Sequence, residues 1–142
     1  MVKNVLVPGP IKTSLIAEFL DSTDTNKSTG AHSVFIGQVR NDIIDSRKVE
    51  AIEYSAYDEM VEKEAGRIID TIKSAFSQVS NIVIIHSTGI VRAGEHSLFV
   101  MVTAGHRDQA TRACRHAVEM IKESLPVWKK ELFDDDSYRW KE

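Results

Sequence analysis

A chain of 142 residues, 42% hydrophobic and 27% charged, is long enough to bury a core without metal or disulfide staples and fits one domain, residues 1–142. Its 18 Lys and Arg against 21 Asp and Glu leave a formal charge of -3, which argues against a protein that holds nucleic acid by general phosphate attraction. No apolar stretch approaches the roughly 20 residues of a membrane span, and the single cysteine, Cys114, excludes an internal disulfide and an all-cysteine metal cage, so a cytoplasmic, reducing setting is expected.

The opening MVKNVLVPGP has an apolar run too short for a secretion signal. PIKTSLIAEFL then puts Ile11, Leu15, Ile16, Phe19 and Leu20 at helical spacing and runs into the polar DSTDTNKSTG loop. AHSVFIGQVR is apolar and β-branched enough for a strand, NDIIDSRK reads as an exposed loop, and VEAIEYSAY is a second strand. Residues 58–76 form an amphipathic helix, with Met60, Ala65, Ile68, Ile69, Ile72 and Phe76 near one face and acids in the first turn to suit the helix dipole. NIVIIHSTG and HSLFVMVTAG predict a hairpin around the turn-rich GIVRAGE, and a last helix runs from about Asp108 to Leu125, stopped by Pro126. The order predicts an α+β domain with a mostly antiparallel sheet covered by helices.

Positive charge gathers late in this acidic chain. On the last helix Ala110, Ala113, Cys114, Ala117, Val118, Ile121 and Leu125 share one stripe, with Arg115 and Lys122 along its border. A border lysine also suits plain snorkelling, with its stem on apolar surface and its ammonium in water. His106 and Arg107 stand where a buried strand gives way to a helix, a geometry that suits an anion, although Asp108 acting as a simple cap also fits. WKKE follows Pro126, turning out of the helix so that it can fold back beside Lys122. Between His106 and Lys130 there are six Lys and Arg against three acids, a basic locale. The histidines lack ligand spacing, so no metal is expected, and His32, His86, His96 and His116 read as structural or exposed. Cys114, between alanines on the apolar stripe, reads as an inert buried thiol. No serine elbow, phosphate-binding glycine loop or dinucleotide fingerprint is present.

GAHSVFIGQVRND, IEYSAYDEM, GIVRAGE, AGHRDQATRACRHAVEMIKESLPVWKKELF and the closing YRW resemble the large, catalytic subunit of molybdopterin synthase, from about Gly30 to Trp140. The resemblance implies an α/β-hammerhead-like fold and a sulfurtransferase without a cofactor of its own. Its substrate would be cyclic pyranopterin monophosphate, on which the two dithiolene sulfurs of molybdopterin are installed. The sulfur would arrive on a small ubiquitin-like subunit as a thiocarboxylate on a C-terminal Gly-Gly tail. A homodimer of large subunits would form the core of a heterotetramer. By the same resemblance Lys122 and Lys129 are the catalytic residues, and Gln38, Val39, Arg40, His106, Arg107, Lys130 and Glu131 join them in binding substrate. Departures are mild: Gln38 stands where a lysine is common, and Ser87 follows His86 where many relatives have arginine. Two anionic reactants in one dry cleft need fixed positive charge between them, which these cations would supply. The alternative reading is a non-enzymatic regulatory module that binds a phosphorylated ligand through the same cations and does not need Lys122.

Overall fold

The spine of the fold is one long strand that changes partners halfway. The computed structural model describes residues 5–22 and 26–141. In chain order the described residues form β1 (Leu6–Pro8), α1 (Thr13–Asp21), β2 (Ala31–Gln38), β3 (Ile43–Ile44), β4 (Arg47–Ala56), α2 (Asp58–Ala75), β5 (Val79–Arg92), β6 (His96–Ala104), α3 (Arg107–Ser124), β7 (Val127–Phe133) and β8 (Tyr138–Lys141). The sheet runs β2-β6-β5-β4-β7-β8, with β3 on β4 and β1 on β5; the β1–β5 pairing alone among them is parallel. β5 pairs with β6 through Val79 to His86 and then with β4 through Gly89 to Arg92. Gly89 sits at the changeover with φ +79°, a left-handed conformation that a side chain would oppose.

The strands sort by how many faces they bury. β6 is apolar along nearly all its length because helices cover it on both sides. On one side α2 and α3 pack Val61, Ala65, Ile68, Ile72, Ala113, Ala117 and Ile121 onto Ile84, Val100 and Val102. On the other, Ile11, just before α1, and Ile16, within it, pack on Ile85, Phe99 and Met101. A third cluster of Val39, Val49, Ile52, Tyr54, Val91 and Phe133 holds the β4–β7 half together. The apolar stripe predicted on α3 is buried at every position. On α2 the inward residue of the first turn is Val61 and not Met60, which is 50% exposed.

The α+β class with a mostly antiparallel sheet matches the sequence expectation, with four short or charged strands added. NDIIDSRK is no loose loop: Ile43–Ile44 pairs back on Arg47–Lys48 through a turn in which Asp45 and Ser46 take φ +52° and +64°. GIVRAGE is mostly strand, and the turn is confined to Ala93–Glu95. VWKKELF, read as a returning tail, is strand β7 in the sheet, with β8 on its outer edge. The first strand, LVP, is three residues long and shows no period.

Candidate functional site

Pro126 sets the site. It pushes Leu125 into an extended conformation with ψ 121°, so α3 ends at Ser124 and β7 begins three residues later. The last turn of α3 and the start of β7 therefore face the same space, and Lys122 and Lys129 line one cleft of about 410 Å³. Arg40 reaches it from the end of β2 and Lys141 from β8. Gln38 and the buried Val39 complete that edge.

Alternation along β7 decides the rest. Lys129 and Glu131 face the cleft. Lys130 points to the opposite face, 3.5 Å from Glu53 and 4.7 and 5.3 Å from the ring centres of Tyr138 and Trp140. Lys130 was expected to bind substrate; period-two geometry turns it away. Glu131 is 2% exposed and accepts a hydrogen bond of 2.9 Å from Arg139 Nε, which satisfies a buried carboxylate and ties β8 to the wall.

The rim is basic. Its two acids are both engaged, Asp42 with Arg40 at 3.3 Å and Glu131 with Arg139, so neither is paired with Lys122, Lys129 or Lys141. Burial, and then the charges of Lys122 and Lys141, lower the pKa of Lys129 from the usual lysine value. That eases the loss of a proton from Lys129. Beneath lies a floor of Tyr54, His86 and Ser97 from three adjacent strands. Burial raises the pKa of the Tyr54 phenol despite the Ser97 hydroxyl beside it.

His106 and Arg107 do not join this cleft. They stand at the opposite end of α3, where fifteen residues at about 1.5 Å each separate Arg107 from Lys122 by about 22 Å. Both are exposed, and His106 Nδ1 lies 3.1 Å from Gln78 Oε1. Arg112, also in that half of the helix, is paired with Asp108 at 3.1 Å. The late-chain cations thus form two groups, one at each end of α3. Cys114 lies midway, 4% exposed with its thiol pKa raised by burial, and no cysteine lines the cleft.

Sequence reasoning missed Tyr54, His86, Ser97 and Lys141. The signal for His86 was present: an imidazole inside the β-branched run NIVIIHSTG must either be satisfied in the core or meet a ligand. Tyr54 and Ser97 carried none, since both read as ordinary strand residues.

An α+β chain with a large cleft that is basic at the rim offers a site suited to an anionic small molecule. Residues 8–124 match the family model described as MoaE protein. Over 119 residues the chain is 37% identical to the molybdopterin synthase catalytic subunit of Dictyostelium discoideum, covering 82% of this chain and 75% of that one. The Taeniopygia guttata counterpart is 36% identical over 113 residues, with 80% and 72% covered. Against the Drosophila mojavensis protein the identity is 38%, but the chain spans 32% of that protein's length. The crystal structure of molybdopterin synthase from Staphylococcus aureus superposes with a TM-score of 0.86 at 34% identity, covering 100% of this chain and 98% of that one. The chain belongs to the MoaE family, the catalytic subunits of molybdopterin synthase, an enzyme of molybdenum cofactor biosynthesis that transfers sulfur.

Proposed function

We propose that sulfur transfer takes place in the cleft between α3 and β7, and that residues 1–142 act as one catalytic-subunit domain. The convergence of Lys122 and Lys129 on one cleft, seven residues apart in sequence across a helix-to-strand turn, carries this reading. Cyclic pyranopterin monophosphate and the thiocarboxylate tail of a small ubiquitin-like subunit are both anionic, and the rim offsets their repulsion. With Cys114 buried, the chain offers no thiol to carry the sulfur, so a partner must bring it. Lys122 holds the oxyanion that forms when water attacks the tail carbonyl after its sulfur has bonded to the pterin; collapse breaks the carbonyl C–S bond, leaving the sulfur on the pterin and the tail as a carboxylate. Lys129, with its lowered pKa, gives or takes the proton. Arg40 steadies the phosphorylated end of the pterin, with Gln38 and Val39 along the same edge. A thin extended tail suits a narrow cleft better than a folded domain does.

His106 and Arg107 cannot reach this chain's own cleft, so in the homodimer implied by the family they serve the cleft of the second copy. Two large subunits with a small subunit on each make the heterotetramer, working in the reducing cytoplasm. No helix among the described residues is long and apolar enough to cross a membrane.

The test mixes purified protein with the thiocarboxylated small subunit and the cyclic pterin and follows the dithiolene product by mass spectrometry. Lys122→Ala should abolish product while still binding the small subunit; full turnover would remove Lys122 from the chemistry. Mixing Lys122→Ala with Arg107→Ala protomers should recover part of the activity that neither variant has alone, because the mixed dimer keeps one complete cleft. Absence of recovery would end the shared-site assignment.

A further inference from the structure

The cations on the rim of the cleft can only give hydrogen bonds, since arginine and lysine are donors without acceptor capacity; the Gln38 amide on the same edge both gives and accepts. A pterin is not satisfied by donors alone: its ring carries N–H groups that need an acceptor. Asp42 and Glu131, the carboxylates on the cleft wall, each hold an arginine, Asp42 through Oδ2 and Glu131 through Oε1. His86 carries no such ion pair. It is 5% exposed and lines the cleft floor.

The imidazole has one nitrogen in use. Nδ1 lies 2.8 Å from the Ser87 carbonyl oxygen, which can only accept, so Nδ1 carries the hydrogen. A neutral ring then leaves a bare lone pair on Nε2, to which no group among the described residues donates. The Tyr54 ring meets the imidazole edge-on, centroids 5.0 Å apart at 75°, and holds its plane. Burial first, then the nearby charges of Lys129 and Lys122, hold the His86 pKa down at about 4, so the lone pair is kept at neutral pH. Nε2 is not shut off from solvent, so a donor arriving in the cleft takes the place of water there.

Resting on the sulfur-transfer reading above, we propose that His86 is the residue that recognises the pterin ring, its Nε2 accepting a ring N–H while the rim cations take the phosphate and the thiocarboxylate. Specificity follows from direction. A phosphorylated molecule without an N–H at that edge would satisfy the rim but leave the imidazole unpaired.

Steady-state kinetics of the assembled enzyme, with cyclic pterin and thiocarboxylated partner titrated separately, tests this. His86→Leu should raise the KM for the pterin on the order of 10- to 100-fold, the cost of a buried donor left unpaired, with the KM for the partner unchanged. His86→Gln, which returns an acceptor to that depth, should recover most of the loss. An unchanged pterin KM in His86→Leu overturns the proposal, as does His86→Gln failing as badly while both variants melt like the parent. A measurement needing no variant is calorimetric binding of a ring-N-methylated pterin phosphate to the parent complex. It should be weaker than the unmethylated pterin by a similar factor, and equal affinity overturns the assignment. If the parent makes no dithiolene from the two substrates, the sulfur-transfer reading itself fails, an outcome separate from a parent that turns over with an indifferent His86.

Discussion

A histidine held neutral in the folded chain but free to charge in the unfolded one makes stability depend on pH in a defined window. The pKa of His86 falls from the ordinary 6.5 to about 4, chiefly through burial. Above about pH 6.5 neither state binds the proton, and the His86 contribution is fully present. Between pH 6.5 and 4 the unfolded chain takes up a proton that the folded chain refuses, so stability falls with pH across that window and levels off below it. The full shift corresponds to roughly 3 kcal/mol, and the part lost between pH 7 and pH 5 is about 2 kcal/mol. Glu64 and Asp135, whose pKa values are lowered by Arg67 and Ser137 respectively, lose their contributions mainly at more acid pH, and comparison with a His86 variant separates this histidine from the other four. Urea unfolding at pH 7 and pH 5, at one protein concentration, on the parent and His86→Gln measures it. The parent should lose about 2 kcal/mol more than the variant on acidification. Equal losses would show that the imidazole takes up a proton in the native state as readily as in the unfolded chain, and the desolvation argued above would be wrong.

Lys141 helps hold down the pKa of Lys129, so Lys141→Gln should move it upward, read by NMR titration of the lysine side chain; no movement would separate β8 from the site's electrostatics. Ser87 is 0% exposed and its hydroxyl has no partner, so Ser87→Ala should stabilise the fold by about 1 kcal/mol, seen as a raised urea midpoint. A Cβ on Gly30 would sit 2.2 Å from the Gly105 carbonyl oxygen, so Gly30→Ala should cost roughly 1–3 kcal/mol and displace the turn that presents His106 and Arg107. Its signature is a lower melting temperature together with impaired turnover, while Gly94→Ala, with open space around it but φ +93°, should cost stability through backbone strain alone and leave that turn in place.

Long, strongly periodic segments were legible from the residues alone. The stripe on α3 was correct position by position, because a helix that buries one face repeats its apolar residues every three to four positions. β7 was not legible. Its residues 128–131 read Trp-Lys-Lys-Glu, and nothing local favours a strand; pairing on both sides, with β4 and β8, imposes it. The hairpin at Asp45 and Ser46 was missed for a related reason, since its turn lacks the Asn-Gly or Asp-Gly pair that usually announces one.

The residue types that carry the chemistry, the stop at Pro126 and the family pattern are written in the chain, because they depend on local geometry and on side chains named one at a time. Where those side chains meet is not. Lys122 and Lys129 share a cleft because a helix end and a strand start adjoin. Lys130 leaves it because successive strand residues face opposite ways. Arg107 lies about 22 Å off because a straight helix cannot bring its two ends together. The neutral floor of Tyr54, His86 and Ser97 exists once β4, β5 and β6 lie side by side, a long-range pairing that no window of sequence contains.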